Sequence, residues 1–240
     1  MATFVLVHGA FHGAWCWVKV VPALASRGHR AVAFDLPGQG DDRTPIAACS
    51  LDGNARRIAE VVAGAGEAVV LVGHSLGGIS IAAAAELAPE WLARLVFLTA
   101  FLPRDGDSIA SLYGPEAIRR PSGPSDYQRS ADGLSYWPKP EAVVRLCYNG
   151  TPEAEIAYAL PRLRPQPFAV QKAAVRLSAE RYGRVPRAYV ECLDDNAVSL
   201  DLQRDMVAKS PCEPVVSLPT DHSPFFSAPA LLAETLAALV

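Results

Sequence analysis

Six short runs of apolar, largely β-branched residues punctuate the chain: Thr3 to Val7, Arg30 to Phe34, Ala68 to Val72, Ala93 to Thr99, Ala188 to Cys192 and Glu213 to Leu218. Runs of this length and composition read as buried strands. Between them lie longer stretches that predict helices at Cys16 to Ser26, Leu51 to Ala63, from about Leu76 through the alanine-rich segment, Leu200 to Ala208 and Ala228 to Leu239. Strand alternating with helix implies a parallel sheet with right-handed crossovers, here about six strands wide and flanked by helices.

From Phe101 to about Arg184 the pattern breaks. Ten prolines, from Pro103 to Pro167, interrupt any long helix, while Ile109 to Ile118, Glu141 to Tyr148 and Glu153 to Leu160 each fit a short one. Leu112, Tyr113, Tyr136, Trp137, Tyr148 and Phe168 give this stretch apolar surface to bury, so it reads as a helical lid inserted between strands of one domain spanning 1–240, and not as a linker. Taken singly, each of these aromatics is better explained as packing than as a substrate contact.

Composition narrows the partners. With 50% hydrophobic residues and a mean hydropathy of +0.15, the chain has enough apolar surface for a sizeable core. Its 22 basic and 25 acidic residues include no basic run, which speaks against nucleic acid or an anionic membrane surface as partner and leaves a small neutral or mildly polar molecule. No apolar run is long enough to span a bilayer, and the amino terminus enters a strand directly, so a cytoplasmic protein is expected; monomer and homodimer both stay open. Five scattered cysteines without metal-ligand spacing fit reduced thiols.

The chemistry gathers in three loops that follow strands. After Ala68 to Val72 comes Gly73-His74-Ser75-Leu76-Gly77 and then the alanine-rich helix. This is strand, sharp turn, helix, with Ser75 at the apex of a turn that glycines two residues to either side permit. The structural alternative for this serine is a simple helix cap, but strand before and helix after favour a nucleophile. His8-Gly9-Ala10-Phe11-His12-Gly13-Ala14-Trp15, after the first strand, is the natural second half of an oxyanion hole, with the Ala10 N–H joining that of Leu76. His8 and His12 lack a third ligand at metal-binding spacing and read as histidines that order the loop; no metal or other cofactor is expected. Leu193-Asp194-Asp195-Asn196 and Pro219-Thr220-Asp221-His222-Ser223-Pro224 follow the last two strands, bringing a carboxylate and a histidine to the sheet edge that carries Ser75.

Serine, then acid, then histidine is the order of the α/β-hydrolases, and the motifs just quoted resemble one branch of that family. The branch groups plant methyl-ester hydrolases of the salicylate-binding type with the hydroxynitrile lyases and many bacterial relatives. Similarity is strong at both ends of the chain and loose in the lid. It implies an α/β-hydrolase fold and a Ser75, His222, Asp195 triad, the acid being set by the match of Cys192 to Ala197, with Asp194 as the competing register. Gly9, Phe11, Tyr136 and Trp137 are the expected substrate contacts. The lyases resemble one another in a threonine after the first loop histidine and a lysine after the catalytic one, where this chain has Gly9 and Ser223. Gly9 matches the esterases, whereas Ser223 departs from their usual apolar residue. The expected activity is therefore hydrolysis of a small carboxylic ester, methyl esters among the candidates. A lyase or cyclase step on the same triad, and a non-catalytic small-molecule binding protein, are the other readings.

Overall fold

The computed structural model describes residues 1–113 and 124–240. In chain order the first half runs β1 (Thr3–Val7), α1 (Val20–Ala25), β2 (Arg30–Ala33), α2 (Leu51–Gly64), β3 (Val69–His74), α3 (Gly77–Leu87) and β4 (Leu92–Leu98). The inserted segment holds α4 (Ile109–Leu112), β5 (Tyr127–Arg129), β6 (Ser135–Pro138), α5 (Pro140–Cys147), α6 (Glu153–Ala159), β7 (Gln166–Pro167) and α7 (Phe168–Lys172). β8 (Arg187–Cys192), α8 (Leu200–Lys209), β9 (Val215–Leu218), α9 (Pro224–Ser227) and α10 (Pro229–Ala237) close the chain.

The six long-range strands pair in the order β2-β1-β3-β4-β8-β9, every pair parallel. The chain moves from β1 outward to β2 and then returns to the far side of β1 as β3, so strand order reverses between β1 and β3. Loops that leave neighbouring strands in opposite directions open a crevice at their carboxyl ends, and this is where such sheets hold ligands. Val7 lies opposite Gly73 in the register, which sets the loop after β1 beside the turn after β3.

β1 and β3 are buried on both faces while the edge strands β2 and β9 keep exposed positions, and the alternation of the inner strands divides the core in two. Val5, Val7 and Leu71 pack with α2 and α3 residues such as Ile58 and Ile79, while Phe4, Leu6, Val70 and Val72 pack with Trp17, with Leu24 of α1 and with Leu232 and Leu236 of α10. α2 begins at Ser50, whose hydroxyl accepts from Gly53 N–H at 3.0 Å, an N-cap worth about 1 kcal/mol.

Several elements differ from the sequence expectation. The helix expected over Cys16 to Ser26 is a 3₁₀ turn at Ala14–Trp17 followed by the six-residue α1. Pro22 explains this, because a ring without an N–H is tolerated only in the first turn of a helix, so the α-helix cannot extend far upstream of it. The expected helix at Ile109 to Ile118 covers Ile109–Leu112 within the described residues; its remainder falls among 114–123, outside them. The lid carries the other short helices expected, and also a three-stranded antiparallel sheet, β5-β6-β7, that the sequence did not signal. Strands of two to four residues are too short to show a period of two. Among the described residues no helix is long and apolar enough to cross a membrane.

Candidate active site

Ser75 sits where β3 ends and α3 begins, with φ of 52°, the left-handed region that side-chain-bearing residues rarely adopt. Backbone hydrogen bonds hold it there: its N–H donates to Leu98 O at 3.2 Å, and its carbonyl accepts from Gly78 N–H at 3.0 Å and Phe101 N–H at 3.1 Å. Close packing explains the glycines. A Cβ at Gly77 would lie 2.7 Å from the His8 carbonyl oxygen, and one at Gly78 would lie 2.2 Å from that of Phe101, so only bare backbone lets the helix start this close to β1 and β4.

His222 arrives on the loop after β9 and Asp195 on the loop after β8. His222 Nδ1 stands 2.6 Å from Asp195 Oδ2, which fixes Nδ1–H as the donor and leaves Nε2 as the basic nitrogen. Asp195 Oδ1 accepts from Ala197 N–H at 2.6 Å and Val198 N–H at 2.8 Å, and Oδ2 also accepts from the Thr99 hydroxyl. Four donors thus converge on one buried carboxylate and fix its position. Asp194, one residue earlier, is exposed, and its carbonyl accepts from Asn149 Nδ2 at 2.9 Å. Ser75 and His222 line the same cavity. Among the described residues no hydrogen bond occupies the Ala10 N–H or the Leu76 N–H, and both residues border that cavity.

Four groups that sequence reasoning did not mark support this arrangement. Thr99, just past β4 and at φ of 38°, supplies the hydroxyl on Asp195. His74, the variable residue of the elbow, donates Nε2–H to the His222 carbonyl at 2.8 Å, its ring 4.6 Å from that of His222. Burial, reinforced by His222 and His12 nearby, holds His74 well below the ordinary histidine pKa, so it is a neutral brace and not a second base. Asp221, 1% exposed, binds the histidine loop through Ser223 N–H and Ser227 Oγ and the lid through Gly150 N–H and Thr151 Oγ1. Tyr148 donates its hydroxyl to His12 Nε2 at 2.8 Å. Apart from the bonds of Asp221 to Ser223 and Ser227, these partnerships join residues 70 or more positions apart and leave no local signature.

The loop histidines have their nitrogens committed. His8 Nδ1–H donates to Gly9 O at 2.8 Å while its Nε2 accepts from Leu36 N–H at 3.2 Å; His12 Nδ1–H donates to Ala10 O at 2.7 Å. Desolvation lowers both pKa values, that of His12 to about 3, which fixes neutral rings whose tautomers hold the Gly9 and Ala10 carbonyls and thereby aim the next N–H groups. With no lone pair left over on either ring, they have nothing to offer a metal.

The cavity has a volume of about 380 Å³. Its walls are largely apolar and aromatic, with Phe11, Phe101, Tyr113, Tyr136 and Phe168 around the opening to Ser75. Phe11 and Tyr136, two of the residues marked in the sequence, line this cavity. Gly9 lies behind it, where an added Cβ would stand 2.8 Å from both Ser75 Cβ and His74 Nδ1. Trp137 is not brought to the cavity. It follows Tyr136 in β6, consecutive side chains of a strand face opposite ways, and Tyr136 is the one whose ring meets Phe11 at 5.3 Å and Phe168 at 4.6 Å.

The chain matches the family model described as the alpha/beta hydrolase family over residues 4–235. It is 36% identical to Methylesterase 2 of Arabidopsis thaliana, over 98% of this chain and 95% of that protein, and 33% identical to methyl jasmonate esterase 1 of Vitis vinifera, over 99% and 96%. Among solved structures, polyneuridine aldehyde esterase superposes with a TM-score of 0.90 at 29% identity, covering 100% of this chain and 99% of that one.

Proposed function

The chain belongs to the α/β-hydrolase family, and from that premise we propose that it is a serine hydrolase of small carboxylic esters, with Ser75 as nucleophile, His222 as base and then acid, and Asp195 as the group that orients and stabilises His222. One observation carries the reading: a serine held at positive φ shares a small cavity with a histidine whose Nδ1–H is bound to a fully hydrogen-bonded carboxylate, leaving Nε2 free to take a proton.

The steps follow from these positions. Ser75 Oγ–H gives its proton to His222 Nε2 as Oγ bonds to the ester carbonyl carbon. The carbonyl π pair moves to oxygen, where the N–H groups of Ala10 and Leu76 receive the negative charge; each such donor typically contributes about 10²–10³ in rate. Collapse of the intermediate expels the alcohol, which takes the proton from His222, and leaves an acyl-serine. Water then repeats the sequence, releasing the acid and restoring Ser75. Asp195 stays ionised and compensates the imidazolium formed in each half.

The relatives' names point to methyl esters, and a cavity of about 380 Å³ with aromatic walls suits a small acyl group of that kind. The lyase alternative is weaker because Ser223, buried and uncharged, stands after His222, so no ammonium is supplied there for a leaving cyanide. The five unpaired cysteines support a reducing compartment such as the cytoplasm.

A panel of methyl and nitrophenyl esters beside a cyanohydrin tests the reading. Ester turnover is expected, and Ser75→Ala should lower it by about 10⁴ or more with the fold intact. Turnover in that variant within tenfold of the parent enzyme would remove Ser75 from the mechanism.

A further inference from the structure

The cavity that the ester mechanism uses is uncharged except at one place. Among the described lining residues there is no Asp or Glu, and the only Lys or Arg side chains are Arg129, at the end of β5, and Lys172, at the end of α7. Both are exposed, so they stand at the rim where solvent reaches the cavity. They come from different lid elements yet meet at one ring: Arg129 Cζ and Lys172 Nζ each lie 5.2 Å from the centre of Phe168. Cation–π contacts of this kind restrain long side chains without neutralising them. No ion pair of the described residues involves either one, although the chain as a whole carries a net charge of −3.

A continuous aromatic wall connects these cations to the reacting centre. Phe11, next to the oxyanion donor Ala10, meets Tyr136 at 5.3 Å; Tyr136 stacks on Phe168 at 4.6 Å; and Phe168 carries the two cations. An acyl group laid along that wall with its ester carbonyl at Ser75 has an apolar path and then two positive charges that no described carboxylate pairs with. A carboxylate on its far end would remain at the rim, so it would keep part of its hydration while gaining both attractions.

Resting on the ester-hydrolase reading, we propose that the preferred substrate is an ester whose acyl part bears a second, free carboxylate, the half-ester of a dicarboxylic acid, with Arg129 and Lys172 receiving the carboxylate. Exposed charge pairs are individually weak, so two of them support a preference of about three- to tenfold, reduced by salt.

The experiment compares kcat/KM for monomethyl succinate, adipate, suberate and sebacate with that for methyl alkanoates of matching length. Expected is a preference for the half-ester that peaks at one chain length, falls as sodium chloride is raised, and drops to a ratio near one in the R129Q/K172Q double variant. Equal or lower kcat/KM for every half-ester in the unsubstituted enzyme, or a preference that survives the double substitution, would overturn the proposal. Titrating Ser75→Ala with the free dicarboxylic and monocarboxylic acids separates this from failure of the ester reading. Selective, salt-sensitive dicarboxylate binding without turnover of any ester would sink the hydrolase and keep the anion site; absence of such selectivity would count against the anion site whatever the turnover.

Discussion

Replacing Asp221 by asparagine tests how the lid and the histidine loop are joined. Each carboxylate oxygen of Asp221 takes one backbone N–H and one hydroxyl: Oδ1 accepts from Ser223 N–H at 3.0 Å and Ser227 Oγ at 2.7 Å, and Oδ2 from Gly150 N–H at 3.0 Å and Thr151 Oγ1 at 2.7 Å. A hydroxyl can rotate to accept, but a backbone N–H cannot. In Asp221→Asn, whichever way the amide is turned, its NH₂ therefore faces one backbone donor, and that donor is left buried and unpaired. Such a group costs about 1–3 kcal/mol, and exchanging charged for neutral hydrogen bonds at the other oxygen adds roughly 1 kcal/mol more. The expected loss is about 2–4 kcal/mol, which for a domain of this size lowers Tm by about 4–16 °C. Because Ser223 adjoins His222, kcat should fall along with stability, while a small acylating probe still modifies Ser75. Differential scanning calorimetry and steady-state kinetics on the same preparation provide both readouts. A Tm within about 1 °C of the parent, with kcat unchanged, would show that the four hydrogen bonds do not couple lid to loop in the way described.

Acid sensitivity follows from the buried histidines. His8, His12 and His74 all titrate below the ordinary histidine value in the folded chain, His12 at about 3. Between that value and the unfolded value of about 6.5 the unfolded state binds more protons, so their contribution is complete above about pH 6.5 and is lost as pH falls, by up to about 1.4 kcal/mol per unit for each group. Thermal melts from pH 7 down to 5 should show a steady decline that is shallower in His12→Gln; a flat Tm over that range would contradict it. Gly9→Ala should lower kcat by about 10² while the protein stays folded, because the new Cβ would displace Ser75 Cβ or His74 Nδ1 from 2.8 Å; kinetics indistinguishable from the parent would mean the loop moves instead. Tyr136→Ala should alter the relative kcat/KM of small and bulky esters, and Trp137→Ala should not. The reverse outcome would mean that the face of β6 toward the cavity is the other one.

Residue pattern alone makes legible the sheet, the strand-to-helix turn after β3 and the shared edge of the loops that follow parallel strands. Each of those rests on short-range information: apolar runs of strand length mark the six parallel strands, Gly73 to Gly77 can form a tight strand-to-helix turn only with glycine at both ends, and loops after parallel strands must share one edge. A local signal was also misread at the first helix, where Pro22 sits too far inside the expected span for an α-helix to run through it. What only the tertiary structure decided are the contacts that make the site rigid and give it shape. His74 holds the carbonyl of a residue 148 positions away, Thr99 reaches Asp195 across 96, and Asp221 gathers the lid from 70 and 71 positions upstream. Such partners are selected by three-dimensional closure and not by spacing. The choice of Tyr136 over Trp137 as cavity wall is of the same kind: in a strand of four residues adjoining aromatics differ only in the face they present, and the face toward Phe11 and Phe168 is fixed when β6 pairs with β5 and β7.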